Sequence, residues 1–309
     1  MRVTSNTYSN LLINSSNSAQ YQLATLQQQI SSGDSIQFAS DDPLAYEQAS
    51  QNQTALAQLN AYTTAANTAT TQTSANFQAM TSVHQIMASA SELVTGVTSN
   101  MTTAQMQSVG TELQSLLTQL TSAVNKQSNG TYLFGGTSNQ PPLDSSGNYN
   151  TATNGTETSV EVGQGNAVQT GIVAGRPNGT PPVDGFLYDS SSGVDVVASL
   201  KQAISDLNSG NGTAAISTDL PALNASLDHV SMYVGKTAAS MSAVQTATNS
   251  LTQQTTSQHN QLNALTQTNL ATVSLQLQQV QNQYQASLEA GTRLMNLSIL
   301  NYISSVGTA

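Results

Sequence analysis

Apolar residues recur at helical spacing at both ends of the chain. Near the start, Tyr8, Leu12, Ala19, Leu23, Leu26 and Ile30 follow one another at steps of four, seven, four, three and four. Near the end, Val273, Leu277, Val280, Tyr284, Leu288, Gly291, Met295 and Ile299 step four, three, four, four, three, four and four. Both series lie along the seam of a heptad-like repeat, the pattern of a helix that buries one narrow stripe. Ser31-Ser32-Gly33 ends the first helix, with glycine at the position that takes a left-handed conformation. Ser40-Asp41-Asp42-Pro43 begins the next: Asp42 caps the free N–H groups, and Pro43 fills the first helical position. A long helix from about Leu44 to the region of Val97 is predicted, with Leu56, Leu59, Phe77, Met80, Val83 and Met87 inward. After a turn near Gly96 and Asn100, a further helix carries Val109, Leu113, Leu116, Leu120 and Val124.

The middle of the chain changes character. Residues 130–193 hold 12 of the 20 glycines and 5 of the 7 prolines, so loops and short strands are predicted there. Thr158-Ser159-Val160-Glu161-Val162 alternates polar and apolar residues, and Ala167, Val168, Ile172 and Val173 supply further strand positions between glycines. Arg176-Pro177-Asn178-Gly179 and Val183-Asp184-Gly185-Phe186 read as turns. Helical spacing resumes near Val194 with Val197, Leu200, Ile204 and Leu207. Asp219 before Leu220-Pro221 reads as another helix start, its helix reaching about Val234.

The predicted fold is mainly α with a small β insertion. Nested N- and C-terminal helices form an elongated helical rod with coiled-coil-like termini and a small β-rich domain at the tip. The expected division is a terminal assembly domain (1–40 with 265–309), a helical rod domain (41–137 with 194–264) and a β-rich outer domain (138–193). Each terminal helix has one apolar stripe to bury, against the other or against a neighbouring subunit.

Composition narrows the function. Ser, Thr, Asn and Gln number 141 of 309 residues, only 22 residues are charged, and the net charge is −10. The chain has no Cys, which removes disulfides and thiolate metal sites. Its three His (His84, His229, His259) are scattered. An acidic chain without a basic run lacks the electrostatic footprint of a nucleic-acid binder. It has no apolar run of eighteen residues to span a membrane and no secretory signal at Met1-Arg2-Val3-Thr4-Ser5-Asn6. Sparse charge argues against an enzyme. Asp41 and Asp42, ahead of Pro43, read as helix-capping residues rather than an acid–base pair. Gly135-Gly136 is not a phosphate loop, because no Lys or Ser/Thr follows at the needed spacing. No cofactor, metal or small-molecule substrate is expected. A structural assembly protein and a surface adhesin using the β domain remain, and paired terminal helices favour the former.

Four segments resemble the flagellin superfamily of bacterial flagellar axial proteins. Met1-Arg2-Val3-Thr4 is similar to that family's opening. Leu26-Gln27-Gln28-Gln29-Ile30-Ser31-Ser32-Gly33 followed by Ala39-Ser40-Asp41-Asp42-Pro43 is similar to its signature after the first helix. Asn129-Gly130-Thr131-Tyr132-Leu133-Phe134-Gly135-Gly136 is similar to the exit from the helical domain in its hook–filament junction (hook-associated protein 3) family. Tyr284-Gln285-Ala286, with Leu294-Met295-Asn296-Leu297-Ser298-Ile299-Leu300-Asn301-Tyr302-Ile303, is similar to the C-terminus of that family. The resemblance implies a structural component of the bacterial flagellum that links the hook region to the flagellin filament. A flagellin-type filament subunit is the alternative within the superfamily. It implies self-assembly into a ring, with the filament on one side and another hook-associated protein on the other. It also implies type III export without a cleaved signal, a cytoplasmic chaperone and an extracellular location. The expected assembly residues are Tyr8, Leu12, Leu23, Leu26, Ile30, Val273, Leu277, Val280, Tyr284, Leu288, Met295, Leu297 and Ile299, with Asp42 and Pro43 as the helix cap.

Few charges also mean few groups whose protonation couples to folding. As pH falls and the carboxylates protonate, the charge that keeps monomers apart fades. Self-association is therefore expected to precede unfolding. An acid titration that follows light scattering and far-ultraviolet circular dichroism together checks the order of the two events.

Overall fold

The computed structural model describes residues 5–150, 155–177 and 181–306. In chain order they form helices α1 (Ser5–Ser32), α2 (Pro43–Thr95) and α3 (Thr103–Val124), then strands β1 (Gln127–Ser128) and β2 (Thr131–Tyr132). Strands β3 (Ser159–Glu161), β4 (Ala167–Gln169), β5 (Tyr188–Asp189) and β6 (Val194–Asp195) follow. Helix α4 (Val196–Asn208) leads through a single turn, α5 (Gly212–Ala214), and a π-helical segment (Ala215–Asp219) into α6 (Leu220–Thr266) and α7 (Leu270–Val306). The chain is mainly α with a small β insertion. It divides into two compact units: Met1–Ala57 with Thr256–Ala309, and Gln58–Thr255. The division falls inside α2 and α6.

Local chemistry sets the helix ends. Gly33 has φ +79°, and its N–H closes α1 on the Gln29 carbonyl at 2.9 Å. A residue with a Cβ is strained at that φ. Pro43 opens α2, and Asp42 Oδ1 accepts from the N–H groups of Leu44 (3.1 Å) and Ala45 (3.0 Å). A reciprocal pair starts α3: Thr102 Oγ1 accepts from the Gln105 N–H, and Gln105 Oε1 accepts from the Thr102 N–H.

In the central unit, Met80, Val83, Met87 and Val94 of α2 pack with Leu113, Leu117, Leu120 and Val124 of α3 and with Leu200, Ala203 and Leu207 of α4. The β segment completes this core with Leu133, Phe134, Leu143, Ile172, Phe186 and Leu187. Residues 138–193 therefore share a core with the helices. Strands of two or three residues cannot bury their own apolar groups, so they close over a helical surface instead. A second cluster joins Ala66 and Ala69 of α2, Val162 and Val168 around the β3–β4 hairpin, and Val244, Ala247 and Leu251 of α6. Gly110 lets α3 and α4 approach: a Cβ there would lie 2.6 Å from Asn208 Oδ1.

All three sheets are two-stranded antiparallel pairs. The β3–β4 pair sets Val160 opposite Val168, on the alternation predicted for that segment. Asn129 (φ 52°) and Gly130 (φ +78°) form the two-residue turn between β1 and β2. Asn178 and Gly179 of a predicted turn lie outside the described residues.

The C-terminal half departs from expectation in two ways. The helix predicted to end near Val234 continues to Thr266. No proline follows Pro221, and Gly235 is the one glycine in α6, too weak a breaker to stop a packed helix. Asp219 does not start a helix from solvent either. It is buried inside the continuous turn that runs from α5 into α6.

One hydroxyl ties the β segment to α4. Tyr149 Oη lies 2.7 Å from Asp195 Oδ1 and 3.0 Å from the Leu187 carbonyl, and its hydrogen is shared between them. Asp195 also caps α4, accepting from the Ala198 N–H at 2.9 Å. Burial, reinforced by the Asp195 carboxylate, holds the Tyr149 hydroxyl well above its usual titration range. Nearby, His229 Nε2 donates to the Gly185 carbonyl at 2.9 Å, and Phe134 meets Phe186 edge-on at 4.8 Å. A hydrogen bond to a charged group contributes about 1.5–3 kcal/mol. Tyr149→Phe is expected to lower the unfolding free energy by about that amount, measured by urea denaturation at neutral pH.

Candidate assembly interface

The terminal unit is built on the pairing of α1 with α7. On α1 the stripe turned inward is Leu12, Ser16, Ala19, Leu23, Leu26 and Ile30; on α7 it is Val273, Leu277, Val280, Tyr284, Ser287 and Gly291. Both stripes keep alternating steps of four and three, the spacing of a coiled-coil seam. Gln20 Nε2 donates to Tyr284 Oη across the pair at 2.7 Å. The chain is also tied within the unit where α1 ends and α7 begins. Ser35 N–H reaches the Thr266 carbonyl at 2.6 Å, and Thr268 N–H reaches the Gly33 carbonyl at 2.9 Å. Asp34 and Gln267 form an antiparallel bridge between the two connectors. Asp41 Oδ2 holds the first connector in shape, accepting from the N–H groups of Gln37 and Phe38. Asn269 Oδ1 caps α7 through the Thr272 N–H.

Of the residues predicted on the seams, Leu12, Leu23, Leu26, Ile30, Leu277 and Tyr284 are half-buried, and Val273 and Val280 are buried. The side chains of Tyr8, Met295, Leu297 and Ile299 lie outside the described residues. Leu288 is a correction: it is 48% exposed, and Ser287 takes the inward position. Four residues advance a helix about 40° past a full turn, and three bring it about 60° back. The two consecutive fours from Val280 to Leu288 swing Leu288 off the stripe, whereas a three after Tyr284 keeps to it.

Burial in this unit is inverted relative to the central one. Among the described residues, its buried apolar side chains are Ala19, Ala49, Leu56, Val273 and Val280. Its exposed large ones are Leu11, Ile13, Tyr21, Phe38, Leu44, Tyr46, Leu270, Leu275 and Leu288. Tyr21 is 77% exposed and Leu275 68%. Leu275, two residues after Val273, sits about 200° around the helix from it. Apart from Leu288, these residues lie outside the predicted seams, which follow one stripe per helix. The signal available in the sequence was apolar residues next to stripe positions, such as Leu11 and Ile13 flanking Leu12. Each large aliphatic side chain gains about 1.5–3 kcal/mol on full burial, so this surface favours a partner.

Among the described residues, no group of three or more His, Asp or Glu is placed to hold a metal ion. No helix among them is long and apolar enough to cross a membrane.

One compact unit is built from both chain ends, and the other is a helical core that a small β insertion completes. Residues 3–139 match the family model of the bacterial flagellin N-terminal helical region. The chain is similar to the solved structure of a flagellar hook-associated protein from Vibrio parahaemolyticus, with a TM-score of 0.63 and 20% identity. That match covers 74% of this chain and 100% of the other. It is also similar to FlgL from Bacillus cereus, with a TM-score of 0.54 and 16% identity over 69% of this chain and 99% of that one. No curated protein matches it by sequence.

Val280→Asp buries an unpaired carboxylate between α1 and α7, at a cost of about 3–5 kcal/mol. Hydrogen exchange is expected to show lost protection along both helices. Leu288→Asp, on the exposed side, is expected to leave protection unchanged.

Proposed function

We propose that this chain is a structural subunit of the bacterial flagellum, seated at the junction between hook and filament, and not an enzyme. The observation that carries the reading is the inverted burial of the terminal unit. Among the described residues, the monomer exposes nine large apolar side chains on this unit and buries only three larger than alanine, Leu56, Val273 and Val280, so the unit is incomplete alone. Copies of the chain complete it, assembling through the terminal unit into a ring. A flagellin-type filament lies on one side and another hook-associated protein on the other. The location is extracellular, reached by the flagellar type III apparatus, with a cytoplasmic chaperone shielding the apolar surface before export. The match of residues 3–139 to the flagellin N-terminal helical region supports the filament-like character of that surface. The similarity to a Vibrio parahaemolyticus hook-associated protein supports a place next to the hook.

Deletion of the gene is expected to leave bare hooks in electron micrographs, with unpolymerised filament protein in the medium. Bare hooks with no filament protein in the medium identify a filament subunit instead. Complementation with Leu275→Asp is expected to fail in a motility assay. Its thermal unfolding should stay within about 0.5 kcal/mol of the parent, because the site is exposed in the monomer. Normal swimming of this variant overturns the assignment of the exposed apolar surface to assembly.

A further inference from the structure

One motif of the sequence has no part in assembly through the terminal unit. Asn129, Thr131, Tyr132 and Leu133, from the run that resembles the hook-associated protein 3 family, line a cleft of about 640 Å³ in the central unit. Helix α2 lines it from Thr64 to Gln72, the β1–β2 hairpin from Ser128 onward, and the β3 segment through Thr158 and Val160. Three elements far apart in sequence therefore meet around one concavity. Its volume is in the range of clefts that hold small ligands, about 300–1,000 Å³.

The lining is polar and uncharged. Ten of the twelve lining residues carry a hydroxyl or an amide, and none is charged. Thr64, Thr68 and Thr71 donate their hydroxyl hydrogens to the carbonyls of Asn60, Thr64 and Asn67, at 2.9, 3.1 and 3.1 Å. Their oxygens keep lone pairs that accept. The amides of Asn67, Gln72 and Asn129 and the hydroxyls of Ser128, Tyr132 and Thr158 make no side-chain hydrogen bond among the described residues. Of these six, Gln72, Ser128, Tyr132 and Thr158 are half-buried. An amide both donates and accepts, and so does a hydroxyl. The cleft thus presents a set of fixed acceptors beside groups of both kinds, with no partner of their own.

The lining selects the chemistry of its ligand. An ionised ligand finds no counter-charge there, and a charge taken out of water without one is costly. An apolar ligand strips water from the polar side chains without replacing their hydrogen bonds. A neutral ligand rich in hydroxyls avoids both costs, because each hydroxyl donates to a threonine oxygen or accepts from an amide. Sugar rings also have an apolar C–H face, which suits the ring of Tyr132 beside Leu133 and Val160. We propose that the cleft between α2 and the β1–β2 hairpin binds a neutral oligosaccharide. Asn67, Gln72 and Asn129 bond its hydroxyls, and Tyr132 seats one ring. Every lining residue belongs to the central unit, so the site does not depend on assembly through the terminal unit.

The test is saturation-transfer NMR of the full chain with maltotriose or triacetylchitotriose at millimolar concentration, which reads the sugar protons that touch the protein. A signal from at least one of these neutral trimers, and none from trigalacturonate, is expected. Tyr132→Ala removes the aromatic contact and is expected to weaken binding up to about tenfold. Asn67→Asp, at an exposed position, replaces the donors of an amide with an acceptor. It is expected to weaken binding up to about tenfold as well, and it serves as the test should Tyr132→Ala fold poorly. Circular dichroism of each variant checks that its helices are intact. Silence from both neutral trimers overturns the proposal. So does a signal from trigalacturonate as strong as theirs, or unchanged binding in the folded variants, which places the sugar elsewhere on the chain.

Discussion

A helix whose apolar stripe is one side chain wide can cover that stripe against one neighbour only. This constraint governs the protein. In α1 and α7 the stripe is spent on the mutual pairing, centred on Ala19, Val273 and Val280. Among the described residues of that unit, Leu11, Tyr21 and Leu275 are left exposed. In the central unit, α2, α3 and α4 each contribute broader faces, and Phe134, Phe186 and Leu187 from the β segment fill the space between them. Sparse charge sharpens the contrast. One salt bridge, Lys236 with Glu157 at 2.8 Å, is present among the described residues, so apolar burial and hydrogen bonding decide which unit is complete.

The polar surface is organised mainly by the helices themselves. Thr54, Thr63, Thr68, Thr111, Thr118 and Thr248 each return their hydroxyl hydrogen to the carbonyl four residues earlier. A hydroxyl used this way makes few demands on its surroundings, so a threonine-rich helix can lie against water or another protein surface with little penalty. This explains how long helices persist in a chain with so few of the charged pairs that usually solubilise them.

Much of this fold was legible in the residues. The α1 stripe followed from spacing alone, and Gly33, Asp42 and Pro43 marked the ends they occupy. The Val160 alternation placed β3. Other features were legible in principle: Thr102, with Gln105 three residues on, carries the capping pattern, and Asn129-Gly130 is a hairpin signal as well as a family motif. The register error at Leu288 arose because Leu is a stronger apolar signal than Ser287, although helix geometry prefers the latter. The exposed apolar set was visible as composition but not as a surface, because it needs the packing of α1 on α7 to show which faces stay uncovered.

The cross-connection between the two connectors has a mechanical consequence. Tension applied along α1 arrives first at Gly33 and Ser35. Both are bonded to the α6–α7 connector, at Thr268 and Thr266. The force is therefore divided between two stretches of backbone before it reaches α2. Ser35 Oγ adds a third tie to the Thr266 carbonyl at 3.0 Å, and Gln29 Nε2 anchors the Ser35 carbonyl back to α1 at 3.0 Å. What looks like a pair of flexible links is a brace, and stretching one connector strains both.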